Sequence, residues 1–462
     1  MRFLFALYVL FNLNILIIRG QDSLTVGSTD AAYRSAGGFL RGGLYTWLDK
    51  KDDKLYFPAV FSDFALKLEA GRRDQYGIYA DLRFRYGAEF NKPVNRLDLR
   101  EAWVSYSPGS FTFSAGRKIV KYGRCDFTNP TSKLSPANYT YHSPDKEDLD
   151  MGNIMFSAKY FPSGKTDIEA VFLPCYSPSV LIIEPVEMPS FVTLKKLPDI
   201  VAQKNMYSYA FRASFHLRQA DLSVSWFDGF DPLPGISLDD FVLDLNGQIP
   251  SMSAVLSVTP YRNRVTGFDF ETTAGMLGIR CEAAFSNPAL SYRTNDYVPM
   301  PEIKWAAGID RPAGNWRFTA EYSGKYITDF IKSEADPLLG SEYDMASIME
   351  LLSFPGFDPE YYVTQQVVAF NRLFNSQLKR TYNSFALRIE AELGYGKFMP
   401  SFLSIYNITT RDLMLIPEIR LKPGDGFILA FGAEVYSGRK GSLYDLIDDF
   451  MNSAYLSMRV DF

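Results

Sequence analysis

The chain has 462 residues and a mass of 52.4 kDa; 47% of the residues are hydrophobic and 22% charged, too apolar a mix for a disordered polypeptide. A mean hydropathy of -0.10 excludes a bundle of transmembrane helices, and a net charge of -5 with a pI near 5.4 gives no reason to expect nucleic acid as a partner. Aromatic residues reach 15% while only 2 histidines are present, which suits aromatic-rich strands and argues against histidine-based metal or acid–base chemistry; no cofactor is expected.

Met1–Gly20 reads as a secretory signal, with Arg2 as its positive start, Phe3–Ile18 as its apolar core and a cut placed before Gln21. Residues 21–462 then form one domain. From there period-two alternation dominates. In Tyr76–Tyr86 the residues Ile78, Ala80, Leu82 and Phe84 oppose Tyr79, Asp81, Arg83 and Arg85. The same pattern recurs at Phe61–Ala70, Ile154–Tyr160, Tyr207–His216, Trp316–Lys325, Asn383–Ala391 and Phe427–Tyr436.

In chain order the predicted strands cover 38–48, 61–70, 76–86, 97–106, 111–119, 154–161, 166–173, 207–216, 221–228, 264–272, 277–285, 303–310, 315–325, 362–370 or 383–391, 400–407, 412–421, 427–436 and 453–462. That is about eighteen strands, an even number, with sixteen still open because of the 360–391 region. Short turns such as Pro162–Lys165 and Lys422–Gly426 alternate with long loops at 121–153, 174–206, 229–263, 326–361 and 437–452. In lipid every backbone N–H and C=O must pair, so a spanning sheet has to close on itself. The pattern predicts an all-β fold: a transmembrane antiparallel β-barrel with short periplasmic turns and long outer loops, in the outer membrane of a diderm bacterium. The last residues, Ala454 to Phe462, alternate to a terminal Phe, an ending that resembles the C-terminal signal read by the barrel assembly machinery, with Phe462 as its expected anchor.

Several short stretches resemble the alginate-export porin superfamily. Leu99-Arg100-Glu101-Ala102-Trp103-Val104, a Ser-Pro-Gly turn and Ala115–Gly123 are similar to its hairpin; Val265–Phe270 with Ile279–Ala284 and Pro417-Glu418 with Gly432-Ala433-Glu434 are similar to later strands. The resemblance implies passive diffusion through a polar channel and names no substrate.

The inward faces carry charges of both signs, and a wet lumen makes their number tolerable. The expected channel-lining residues are Arg83, Arg85, Arg212, Arg280, Glu282, Arg317, Glu321, Arg388 and Glu390. Arg212 has no inward acid on its own strand, and Arg83 and Arg85 share only Asp81, so a mild anion preference is expected from these three. The bore is expected to be narrowed by an infolded loop, either 121–153 or the proline-bearing 174–206. Cys125 and Cys175 fall in loop-like stretches and could pair, while Cys281 falls in a strand. His142 in a long loop and His216 beside a short turn lie at opposite ends of a wall about 25 Å tall, which speaks against a shared catalytic site and against an enzyme.

These features favour a porin-like channel that passes small polar, possibly anionic, solutes across outer-membrane lipid. The alternatives are a surface adhesin or receptor acting through its long loops, and a transporter of fatty-acid-type substrates.

Overall fold

The computed structural model describes residues 32–48, 54–182, 190–245, 251–335, 350 and 354–462. The signal segment Met1–Gly20 and the prolines Pro185 and Pro189 of the second candidate loop lie outside these residues.

Eighteen strands form one closed antiparallel sheet. In chain order they are β1 (Ala32–Leu48), β2 (Leu55–Arg72), β3 (Tyr76–Glu89), β4 (Lys92–Tyr106), β5 (Phe111–Lys118), β6 (Asn153–Ser163), β7 (Thr166–Leu173), β9 (Ser208–His216), β10 (Ala220–Phe230), β13 (Arg262–Ala274), β14 (Leu277–Pro288), β15 (Glu302–Ala313), β16 (Trp316–Ile327), β17 (Thr381–Ala391), β18 (Phe398–Asn407), β19 (Asp412–Gly424), β20 (Phe427–Ser437) and β21 (Ser453–Asp461). Three further strands, β8 (Val192–Lys195), β11 (Gly235–Asp244) and β12 (Ser251–Thr259), lie in loops. The barrel closes where β1 pairs with β21, for example Leu40 with Val460 and Leu44 with Leu456.

The alternation sorts side chains as a membrane wall requires. Leu40, Ile78, Val104, Phe156, Phe211, Ile309 and Phe402 are exposed on the outer face, whereas Arg41, Asp63, Asp81, Asp269, Glu282 and Glu321 are buried within. Tight turns at one end use positive φ, as at Gly314 (+60°) and Gly426 (+72°), where a residue with a Cβ would be strained. All the long connections leave from the other end.

Two features depart from the sequence reading. The stretch 362–370 is not a strand but part of helix α1 (Pro359–Phe374), so 383–391 supplies the barrel strand and the count is eighteen. Asp358 caps the helix by accepting the N–H groups of Glu360 and Tyr361, and Pro359 fits the first turn. Its buried residues Val363, Gln366, Val368, Ala369 and Leu373 follow helical, not alternate, spacing. The loops at 174–206 and 229–263 also hold structure of their own. Strand β12 pairs antiparallel with β11 and parallel with β8 to make a small outer sheet. Asn371 of α1 joins it, accepting from the Ile236 N–H at 2.9 Å and donating to the Ile236 carbonyl at 2.7 Å. A second helix, α2 (Leu443–Met451), sits between β20 and β21.

Candidate functional site: a bore narrowed by an infolded loop

The connection between β5 and β6, residues 119–152, folds into the barrel and meets the wall on two sides. On one side the wall carboxylates hold the loop backbone. Glu282 of β14 accepts from the N–H of Arg124 (3.2 Å), the N–H of Thr131 (2.8 Å) and the Thr131 hydroxyl (2.7 Å). Glu321 of β16 accepts from the N–H groups of Asp126 (3.0 Å) and Phe127 (3.1 Å). Around these anchors Arg124 pairs with Asp269 (2.6 Å) and Glu271 (3.0 Å), and Arg280 pairs with Asp126 (2.5 Å).

On the other side the polarity reverses: arginines of the wall hold carboxylates of the loop. Asp145 pairs with Arg41 of β1 (3.2 Å), Arg420 of β19 (2.9 Å) and Arg459 of β21 (3.0 Å). Asp148 pairs with Arg41 (2.7 Å) and Arg83 of β3 (2.5 Å). Lys146 reaches Glu434 of β20 at 2.5 Å. Between the anchors the loop packs an apolar core of Tyr122 and Leu134 against Met155, Val171, Leu173, Ala210, Phe227, Val265 and Ala284 of the wall. The 174–206 loop lies against it, with the Tyr139 N–H donating to the Val180 carbonyl and the Val180 N–H to the Ala137 carbonyl.

This plug sorts the residues expected to line the channel. Arg83 holds Asp81 and Asp148; Arg85 holds Asp63 at 2.6 Å and Glu89 at 2.5 Å; Arg212 holds Asp269 at 2.9 Å and lies over the Tyr122 ring. The expected surplus of positive charge at these three is therefore absent. Asp63 and Asp269 sit on other strands, and Asp148 comes from the loop, beyond the reach of a strand-by-strand count. Arg280 pairs with Asp126, Glu271 and Asp310, and Glu282 and Glu321 are anchors only 2% exposed.

Arg317, Arg388 and Glu390 differ. Arg317 is exposed and the other two are half-buried; Arg317 and Glu390 stand opposite each other across the β16–β17 ladder, and the Arg388 guanidinium lies over the Phe127 ring at 4.8 Å. They share one wall sector, β16–β17. Beside it, β18 and β19 turn Ser401, Leu403, Ile405, Met414 and Ile416 inward, all half-buried. The sequence reading missed Arg41, 1% exposed and held by three carboxylates, although its alternation with Phe39 and Tyr45 marks its face.

Cys125 and Cys175 are free thiols. The plug fixes Cys125 between Arg124 and Asp126 at the Glu282–Glu321 wall, while Cys175 continues from β7, so the two are held by different parts of the barrel. Burial beside Glu321 and Glu282 pushes the Cys125 thiol far up, which leaves little reactive thiolate. His142 is buried, and among the described residues neither ring nitrogen has a hydrogen-bond partner. His216 lies between Asp167 and Asp221 at the opposite rim, 2.9 Å from each.

No protein-family model matches the chain, and no curated protein matches it. Solved structures do. Acinetobacter baumannii OccAB1 aligns with a TM-score of 0.51 at 9% identity, over 93% of this chain and 96% of that one. Pseudomonas aeruginosa OpdK, solved with vanillate, gives 0.52 at 10%, over 93% and 98%. A BenF-like porin from Pseudomonas fluorescens gives 0.52 at 9%, over 93% and 98%. The alginate-export superfamily is not what these comparisons return. At such identities the likeness is one of fold, and the fold this chain shares with these porins is a closed antiparallel β-barrel.

Proposed function

We propose that this protein is a porin-like channel of the outer membrane, passing small polar solutes beside the plug along the β16–β19 wall. The observation that carries this reading is the uneven filling of the bore. Arg41, Asp81, Asp269, Glu282 and Glu321 are at most 2% exposed, whereas Arg317, Arg388, Glu390 and Ser401 keep solvent contact. A barrel that served only to display loops would gain nothing from unpaired charges inside it, since such groups are favourable only in water. A fatty-acid-type transporter is less favoured, because the plug meets the wall through ion pairs and carboxylate anchors, among them Asp148–Arg41 and Glu282–Thr131.

The neighbour solved with vanillate makes a small aromatic acid one reasonable solute to try first. Reconstitution in a planar bilayer tests the function. Discrete conductance steps are expected, and the absence of any step from correctly folded, heat-modifiable protein would refute the channel.

A further inference from the structure

Inside a wet barrel, polar inward residues come at no cost, whereas apolar surface turned to water is unfavourable in proportion to its area. Over most of this bore the inward apolar residues are covered by the plug: Met155, Val171, Leu173, Ala210, Phe227, Val265 and Ala284 pack against Tyr122 and Leu134. On the β1–β2 and β20–β21 side Tyr45, Phe61, Ala430 and Tyr455 pack together. Among the described residues, a group of four inward aliphatic side chains on β18 and β19 lacks such cover.

Leu403 and Ile405 of β18 lie beside Ile416 and Met414 of β19 in register. The same register pairs Ser401 with Glu418 and Met399 with Arg420, and Arg420 reaches Asp145 of the plug. Residues paired across an antiparallel ladder share a face, so all four apolar side chains point into the lumen. Each is half-buried, and none belongs to a buried apolar cluster. On the adjoining strand Leu403 faces Arg388, whose guanidinium lies over Phe127 without an ion pair, and Ser401 faces Glu390. Glu321 accepts from the Phe127 backbone N–H, which holds this residue of the plug beside Arg388.

We propose that Leu403, Ile405, Met414 and Ile416 form a binding strip for the apolar body of a permeating amphipathic solute, next to unpaired charges of both signs at Arg388 and Glu390. Two residues along a strand span about 6.8 Å and neighbouring strands lie about 4.8 Å apart. That footprint matches one phenyl ring or a chain of about five carbons. The strip selects by the body of the solute, and Arg388 and Glu390 let either sign of headgroup sit beside it. This inference rests on the channel reading and refines where its solutes pause.

Current block by permanently charged probe pairs tests it: benzenesulfonate against methanesulfonate, and phenyltrimethylammonium against tetramethylammonium. In the wild-type channel each phenyl probe is expected to block about tenfold more tightly than its methyl counterpart, whatever its sign. In a Leu403→Ser, Ile416→Ser variant the two members of each pair should converge to within about twofold. Equal block by phenyl and methyl probes in the wild type would overturn the strip while leaving the channel intact. A phenyl advantage that survives in the variant and in Ile405→Ser, Met414→Ser would overturn it too. Loss of all conductance steps in the wild type would instead count against the channel itself.

Discussion

His142 carries the plug's most exacting single-residue constraint. Its ring is buried against Tyr45 and Phe90, its backbone N–H donates to Glu89, and its carbonyl accepts from Arg85. Burial, with Arg85 and Lys146 nearby, holds its pKa down to about 3. A histidine in a released loop would titrate near its ordinary value of about 6.5. Between these values the released loop binds the proton and the packed loop does not. The packed state therefore loses stability as pH falls, by up to about 1.4 kcal/mol per pH unit, and is insensitive to this group above about pH 6.5. Channel current fluctuations are expected to rise between about pH 6 and pH 4, and His142→Phe should remove that portion of the rise. An unchanged pH profile in the variant would assign the effect to other groups. A second residue-scale constraint is Gly123, at φ +97°, where an added Cβ would lie 2.4 Å from Glu282 Oε2. Gly123→Ala should push away the carboxylate that holds Arg124 and Thr131, at a cost of about 1–3 kcal/mol. The readout is a lower temperature for the gel-mobility shift of the folded barrel. Neither constraint can be read from sequence, because both arise where a loop meets wall strands distant in the chain, more than fifty positions away for His142 and more than a hundred and fifty for Gly123.

At the scale of elements, what was legible was what repeats. Period-two alternation located the strands, since each must present one face to lipid and one to the lumen, and the register follows from that division. The ambiguity at 360–391 arose because α1 is apolar on one stripe and short enough to pass for a strand; its Asp358-Pro359 start was the available signal. The small sheet of β8, β11 and β12 escaped because a four-residue strand such as β8 carries almost no pattern. The closing seam is an element whose two parts can be separated by experiment. Phe462 exchanges both backbone hydrogen bonds with Gly38, at 2.9 and 3.1 Å, and its ring stacks on Phe64. Gly38 has to lack a side chain, since a Cβ there would meet the Ala65 carbonyl at 2.0 Å and the Phe462 ring at 3.0 Å. Deleting Phe462 removes the backbone pair and the ring, whereas Phe462→Ala removes the ring alone. If the aromatic ring is the assembly signal, both variants should give little heat-modifiable barrel in outer membranes. Normal yield from Phe462→Ala with failure of the deletion would assign the role to the backbone seam.

For the whole molecule, the candidate site was legible as a list of inward charges but not as a circuit. Counting acids along each strand left Arg83, Arg85 and Arg212 in surplus. In the folded chain each is neutralised by a partner that a single strand does not contain: Asp148 of the plug, Asp63 of β2 and Asp269 of β13. What decides ion selectivity is the charge left over after the plug has made its pairs. Along the β16–β19 wall of the proposed path that remainder is Arg317 and Arg388 against Glu390, a small positive excess. The channel is therefore expected to prefer anions mildly, even though the chain as a whole carries -5. The preference should fade in about 1 M salt, where the screening length falls to about 3 Å. Reversal potentials across a salt gradient can tell the two sets of arginines apart. Arg317→Ala and Arg388→Ala should each move the potential toward cation preference with the plug in place. Arg212→Ala should move it less, because Asp269 keeps Arg124 at 2.6 Å and remains largely neutralised. A larger shift from Arg212→Ala than from Arg388→Ala would mean that ions pass along the β9–β13 wall, behind the plug, and not along β16–β19.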